Sequence, residues 1–127
     1  MKKEKTRGRI VLVDGSASVI RFLKMNLENA GYDVSSVSNV EEASALPLEP
    51  GICLAALPLT TLEETRDAVT RLRRSLSCPI LVYGSGGCSE KEMHALGADG
   101  YIDRFYEPAD FIKAVEAVIS GKPRSEP

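Results

Sequence analysis

The apolar run at residues 51–59, GICLAALPL, constrains the fold of this chain more than any other stretch. It is short, apolar almost throughout and closed by a proline, which is typical of a β-strand buried on both faces. Such a strand needs neighbouring strands on either side and helices above and below it. The run therefore predicts a parallel sheet with this strand in the middle.

Four further runs of β-branched and aromatic residues alternate with segments of helical periodicity. The run at residues 32–37 is more polar than the others, which places it nearer an edge of the sheet. Five strands alternating with five helices predict an α/β fold, a five-stranded parallel sheet with helices on both faces. The predicted strands are residues 9–13, 32–37, 52–56, 79–83 and 101–102.

Residues suited to helix starts precede each helical segment, and apolar residues recur at helical spacing within the longer ones. The predicted caps or first residues are Ser16 or Ser18, Asn39, Thr61, Ser89 and Pro108. The residues predicted to face the core are Val19, Phe22, Leu23, Leu27 and Ala30 in the first helix, Thr65, Ala68, Val69, Leu72 and Leu76 in the third, and Phe111, Ile112, Val115, Val118 and Ile119 in the last.

The strand count favours the flavodoxin-like order 2-1-3-4-5, whose ligand crevice lies at the carboxyl ends of strands one and three. In this sequence those ends are Asp14-Gly15 and Ala56-Leu57. We expect one domain over residues 9–121, a flexible lead-in at residues 1–8 and a tail or linker at residues 122–127.

The composition argues against several classes of protein. A net charge of −2 gives no support for a direct nucleic-acid or membrane-surface partner, and no apolar run could cross a bilayer. The first residues, MKKEKTR, lack the apolar region of a signal peptide, so a cytoplasmic location is expected. Cys53, Cys78 and Cys88 are odd in number and lack metal-ligand spacing, which predicts buried or half-buried thiols.

Five stretches in order resemble the response-regulator receiver domain of bacterial two-component signalling. They are RIVLVDGSASVIRFLKMNLENAGYDV, the central strand, CPILVY, GADGYIDR and EPADFIKAVEAVI, and together they span about residues 9 to 121. The resemblance implies transfer of a phosphoryl group from a histidine kinase to an aspartate at the end of strand three. It also implies a magnesium ion held by acids after strand one. A hydroxyl after strand four and a lysine after strand five would contact the phosphoryl oxygens, and an aromatic on strand five would alter a binding face.

Four of the five chemical positions that the resemblance implies are altered here. A methyl group cannot accept a phosphoryl group, and one remaining acid is a poor site for magnesium. The matching residues are Asp14 and Gly15 for the acidic pair, Ala56 for the acceptor, Gly84 with Ser85 beside it for the hydroxyl, Arg104 for the lysine, and Tyr101 for the aromatic, which is kept. Apart from these five, the resemblance also implies a proline after the lysine, and Phe105 stands there instead.

These departures predict a degenerate receiver, or pseudo-receiver, that is not an enzyme and needs no cofactor. We expect no catalytic residue and no bound metal, with Asp14 as only a weak candidate ligand, paired instead with Arg104. Function would come from phosphorylation-independent protein–protein interaction through a face that includes Tyr101, Phe105 and Tyr106. The expected partners are signalling proteins, such as a histidine kinase or an output module of the same pathway, and a homodimer is also open.

Two alternatives remain open from the residues alone. A displaced acid, Asp14 or Asp103, would make the chain an active phosphoacceptor, although neither replaces a side chain at the tip of strand three. The vacated phosphate pocket could instead hold an apolar or anionic small molecule, which would make the chain a ligand sensor.

Overall fold

The computed structural model describes residues 7–45, 52–76, 78–84, 90–102 and 108–120. A parallel five-stranded sheet in the order β2-β1-β3-β4-β5 forms the centre, which confirms the predicted fold and strand order. The elements in chain order are β1 (Arg9–Val13), α1 (Ala17–Asn29), β2 (Asp33–Val37), α2 (Val40–Ser44), β3 (Ile52–Pro58), α3 (Leu62–Ser75), β4 (Ile80–Tyr83), α4 (Glu90–His94), β5 (Gly100–Ile102) and α5 (Pro108–Ser120).

The third strand is the buried centre of the sheet, as its sequence predicts. It pairs with β1 on one side and β4 on the other, and Ala56 lies opposite Leu12 and Leu81. Successive residues of β3 pack into opposite layers of the core, with Ala55 against α3 residues and Ala56 in the layer that contains α1 and α5 residues. The strand runs two residues further than predicted because pairing with β4 continues to Pro58.

Side-chain caps begin the helices at the predicted residues. The Asn39 side chain accepts a hydrogen bond from the Glu42 amide at 2.9 Å, and the Thr61 hydroxyl accepts one from the Glu64 amide at 3.0 Å. Each bond satisfies an amide that the helix itself leaves without a partner. Ser16 caps α1 through the Val19 amide at 3.4 Å, whereas Ser89 lies outside the described residues.

The predicted inner face of α1 is wrong at one residue. Leu23 and Leu27 are buried, but Phe22 is 42% exposed. At 3.6 residues per turn Phe22 lies about 100° from Leu23 and about 140° from Leu27, so it points away from the sheet. The inner faces of α3 and α5 agree with the prediction, because Thr65, Val69, Leu72, Phe111, Val115 and Val118 are buried.

No helix in the described ranges has the length and apolar character needed to cross a membrane.

The strand β5 packs so closely on α5 that position 100 has no room for a side chain. A Cβ added at Gly100 would lie 2.3 Å from a methyl carbon of Val118. Valine is stiff about χ1 and cannot swing this methyl away without leaving its rotamer. The glycine therefore sets the distance between β5 and α5.

Gly100→Ala is expected to lower the free energy of unfolding by about 1–3 kcal/mol because it overpacks this contact. Urea unfolding would measure the loss. Gly15→Ala is the matched control, since its added Cβ would meet only the Ser38 carbonyl oxygen at 3.8 Å, an ordinary contact. Val118→Ala in the Gly100→Ala background should cost less than the two single changes added together. Strict additivity would contradict the proposed clash.

Candidate functional site

The carboxyl ends of β1, β3 and β4 meet at one edge of the sheet. In an open α/β sheet the ligand crevice forms at this edge, where the strand order reverses between β1 and β3. Asp14 follows β1, Ala56 lies near the end of β3, and Tyr83 is the last residue of β4. These three residues define the candidate site.

A hydrogen bond across β3 joins the two flanking strands. The Tyr83 hydroxyl donates to Asp14 Oδ2 at 2.5 Å. Because β3 lies between them, the bond spans two inter-strand spacings, about 10 Å between backbones, which the length of a tyrosine side chain makes attainable. A shorter residue at position 83 would not reach the carboxylate.

The second Asp14 oxygen is also occupied. Oδ1 accepts a hydrogen bond from the Ser16 amide at 2.8 Å, and the Asp14 amide donates to the Val37 carbonyl oxygen at 3.0 Å. The carboxylate thus connects the start of α1 with the end of β4. Its charge is balanced by two donors from this chain.

Tyr83 lies in an apolar setting that keeps its phenol neutral. The side chain is 5% exposed, and its ring meets Phe111 of α5 edge-on with centroids 5.7 Å apart. Burial is the main cause that raises the pKa of Tyr83 far above its ordinary value of 10.0, and the hydrogen bond to Asp14 and the charge of that carboxylate raise it further. The phenol therefore remains a hydrogen-bond donor at any physiological pH.

Ala56, two residues before the end of β3, provides no nucleophile. It is fully buried and belongs to the same core cluster as Leu12 and Tyr83. Acyl-phosphate chemistry needs a carboxylate at the attacking position, and a methyl group has no lone pair to offer. The site as built holds one carboxylate above an apolar layer.

The donor set does not fit magnesium. A magnesium ion in such a site is held by one or two carboxylates together with substrate phosphate oxygens. Asp14 supplies one carboxylate that already accepts two hydrogen bonds, while Gly15 and Ala56 supply no oxygen from a side chain. Within the described ranges there is no group of three or more His, Cys, Asp or Glu residues that could hold a metal ion.

Several predicted site residues lie outside the described residues. These are Ser85, Asp103, Arg104, Phe105 and Tyr106. The predicted pairing of Asp14 with Arg104 accordingly remains a prediction. Gly84 is described, and its amide donates to the Ile102 carbonyl oxygen at 2.9 Å, so it ties β4 to β5 but offers no hydroxyl to a phosphoryl group.

Tyr101, predicted to belong to an interaction face, offers little surface to a partner. It is 9% exposed on β5, and the exposed His94 of α4 meets its ring edge-on with centroids 5.2 Å apart. In this position the tyrosine supports the strand and α4. A partner could contact it only at its edge.

The two described cysteines agree with the prediction of buried or half-buried thiols. Cys78 is buried and Cys53 is partly buried, whereas Cys88 lies outside the described residues. Burial raises the pKa of both thiols, that of Cys78 to about 11. Neither is a reactive thiolate at neutral pH.

A groove of about 590 Å³ lies beside Asp14, between α2 and α3. Its charged lining consists of Asp14, Glu41, Glu64 and Asp67 against one cation, Arg71. The Arg71 guanidinium is held by Glu41 at 3.1 Å, with Asp67 at 4.0 Å. The excess of negative charge disfavours the anionic ligand that the sensor alternative allows.

Tyr83 is the residue of the site that sequence reasoning missed. The resemblance to receiver domains implies roles for an acceptor and an acidic pair, and Tyr83 occupies none of those positions. The signal was nevertheless present, because Leu81 pairs with Ala56 and Tyr83 follows two residues later on the same face. A large aromatic residue there, beside a small one on β3, indicates that the aromatic fills the edge.

Comparison with known proteins identifies the fold with that of receiver domains. The transcriptional regulatory protein SrrA of Staphylococcus aureus is 28% identical over 113 residues, which make up 87% of this chain and 47% of SrrA. The chain thus spans about half the length of the curated relatives that it matches. No protein-family model matches it.

The solved structures point to the same fold. A response regulator from Thermotoga maritima has a TM-score of 0.77 and 22% identity, covering 91% of this chain and 99% of that protein. A two-component response regulator of the LuxR family from Aurantimonas has a TM-score of 0.72 and 26% identity, covering 93% and 88%. The chain has the receiver fold, and its relatives are response regulators of two-component systems.

Tyr83→Phe is expected to lower the free energy of unfolding by about 1.5–3 kcal/mol at neutral pH, because it removes a hydrogen bond to a charged group. Chemical denaturation would measure the difference. Tyr32→Phe is the matched control, since Tyr32 is also buried but its hydroxyl makes no hydrogen bond within the described residues. Equal losses in the two variants would contradict the role of the Asp14 contact.

The raised pKa of Tyr83 also predicts how stability depends on alkaline pH. The unfolded chain ionises this phenol near its ordinary value of 10.0, whereas the folded chain does not. Its stabilising contribution is therefore complete below pH 10 and is lost as the pH rises above it, by up to about 1.4 kcal/mol per pH unit. Denaturation at pH 9 and pH 11 should show a shallower loss in Tyr83→Phe than in the wild type. Parallel losses would refute the assignment.

Proposed function

We propose that this chain is a pseudo-receiver, a module of two-component signalling that acts by binding other proteins and is not phosphorylated. The observation that carries the proposal is the pairing of Tyr83 with Asp14 beside Ala56. The acceptor position has no nucleophile, and the one remaining acid of the pair is engaged by two donors of the chain. The proposal assigns no enzymatic activity to the chain.

Three altered positions favour the same proposal. Phosphoryl transfer to a receiver needs a carboxylate nucleophile, a metal that offsets charge and donors for the phosphoryl oxygens. At the positions that would supply these groups, Ala56 offers no nucleophile, Gly15 no metal ligand and Gly84 no hydroxyl donor. Loss of a single component would leave a weakened site, whereas here the nucleophile, one metal ligand and one hydroxyl donor are altered together.

The hydrogen bond from Tyr83 to Asp14 supports the proposal that this edge of the sheet keeps a single conformation. A receiver that switches must have two arrangements whose balance an added group can shift. Here the raised pKa of Tyr83 keeps its phenol protonated at neutral pH, so it can donate the hydrogen bond that connects β4 with Asp14 after β1. We infer that the surfaces around the edge are presented to partners in this one arrangement.

The proposed partners are signalling proteins of the same pathway, such as a histidine kinase or an output module, in the cytoplasm. The proposed face consists of α4, β5 and α5, to which Tyr101, Phe105 and Tyr106 contribute. The burial of Tyr101 favours His94 and the exposed residues of α4 and α5 as the first contacts. Neither nucleic acid nor a membrane is proposed as a direct partner.

A displaced phosphoacceptor is a weaker alternative. Asp14 follows β1 rather than β3, and both of its oxygens accept hydrogen bonds. Attack by this carboxylate would require breaking the bond to Tyr83 in an apolar layer. A ligand sensor is favoured only by the groove beside Asp14, whose charge suits a cation better than an anion.

Intact-mass measurement after incubation with magnesium and acetyl phosphate tests the proposal directly. We expect no added phosphoryl group on the wild type or on Tyr83→Phe, because neither has a carboxylate at position 56. A receiver domain with an acceptor aspartate, treated in parallel, shows that the phosphodonor is active. An adduct on the wild type that is released by hydroxylamine would identify an acyl phosphate and overturn the proposal.

A further inference from the structure

The outer face of α1 carries two large apolar side chains. Met25 is 54% exposed and Phe22 42%, and among the residues whose exposure the structure describes, the one other exposed large hydrophobic residue is Leu62 of α3 at 36%. Residues three apart are neighbours on a helix surface. Phe22 and Met25 therefore form one apolar patch, whereas Leu62 stands alone.

Two opposite charges without partners flank this patch. Arg21 and Glu28 are both exposed, and within the described residues neither makes an ion pair or a side-chain hydrogen bond. They lie seven residues apart, about 10.5 Å along the helix axis, which is too far for them to pair within one helix. Arg71 and Arg73 of α3 do pair with acids, at 3.1 Å with Glu41 and at 3.0 Å with Asp99, whereas the exposed Arg66 and Arg74 make no ion pair within the described residues.

The spacing of these four residues is self-complementary. All four lie within an arc of about 120° on α1, with Met25 near its middle. A two-fold axis that crosses the helix midway between residues 24 and 25 exchanges position 21 with position 28. An antiparallel second copy of α1 then brings Arg21 opposite Glu28 of the other copy, twice.

The apolar side chains lie between those two ion pairs. Measured along the helix from the two-fold axis, Met25 lies about 1 Å away and Phe22 about 4 Å away. Arg21 and Glu28, which form the ion pairs, each lie about 5 Å away. Four apolar side chains thus fill the centre of the contact and the charges form its rim, as in known protein interfaces. Lys24, which is half-buried, lies about 100° from Met25 and outside this centre.

We propose that α1 is the interface of a symmetric homodimer, in which two copies of the chain pack through Phe22 and Met25. The charge arrangement selects a second copy over an unrelated partner, because it is complementary to itself under a two-fold rotation. A contact through one helix from each chain is small, so the dimer is weak and concentration-dependent. The inference does not depend on the proposed function, since a phosphorylated receiver with this helix would present the same face.

Sedimentation equilibrium from about 10 µM to about 1 mM, the range in which weak complexes form, tests the interface. The wild type should approach the mass of a dimer. Arg21→Glu and Glu28→Arg should each weaken association about tenfold or more, because each places like charges opposite one another. The double variant Arg21→Glu/Glu28→Arg should recover association, since it restores both pairs with exchanged signs.

Apolar variants complete the test. Phe22→Ser with Met25→Ser should abolish association, whereas Leu62→Ser, the matched exposed apolar change on α3, should leave it unchanged. Circular dichroism would show that each variant is folded, which the exposure of every altered side chain makes the expected result. A wild type that stays monomeric over the whole range would overturn the proposal. So would a double charge variant as weak as the single ones, or a Leu62→Ser variant that dissociates.

Discussion

The burial of β3 on both faces is the constraint on which the rest of the structure depends. A strand that exposes neither face needs a covering layer above and below it, and here β1 and β4 pair with its two edges. Its small residues, Ala55 and Ala56, let both layers approach closely. The same arrangement brings the ends of β1 and β4 to either side of a short side chain. The candidate site is thus a direct result of how the central strand is packed.

Asp14 is stabilised by hydrogen-bond donors from the chain itself. A buried or half-buried carboxylate is costly unless its charge is compensated. The Ser16 amide and the Tyr83 phenol supply this compensation. The phenol can do so because it stays protonated in its apolar surroundings. The phenol stabilises the charge of the carboxylate, and the carboxylate in turn helps to keep the phenol protonated. This structural role of Asp14 needs no second acid at position 15.

Much of the fold could be predicted from the sequence, because each of its elements is encoded locally. Alternation of apolar runs with capped helical segments defines the strands, and handedness and connection rules then leave few orders. For the site, the sequence states only that positions 15 and 56 carry no carboxylate, and the assignment of Ala56 to the acceptor position stays a prediction. The bond from Tyr83 to Asp14 was not predicted, since it joins residues 69 positions apart across an intervening strand. The exposure of Phe22 was missed because the whole apolar set on α1 was assigned to one face, although its angular position excluded that.

The site and α1 are connected through one residue. Ser16 caps α1 and donates its amide to Asp14, whose other oxygen accepts from Tyr83 at the end of β4. A ligand shifts a conformational equilibrium only by as much as its affinities for the two states differ. In the proposed pseudo-receiver no phosphoryl group is attached at this edge to supply such a difference. Under that proposal a change in the position of α1 would come from binding at the surface of the domain, and a preformed surface loses less freedom on binding than one that must first be rearranged.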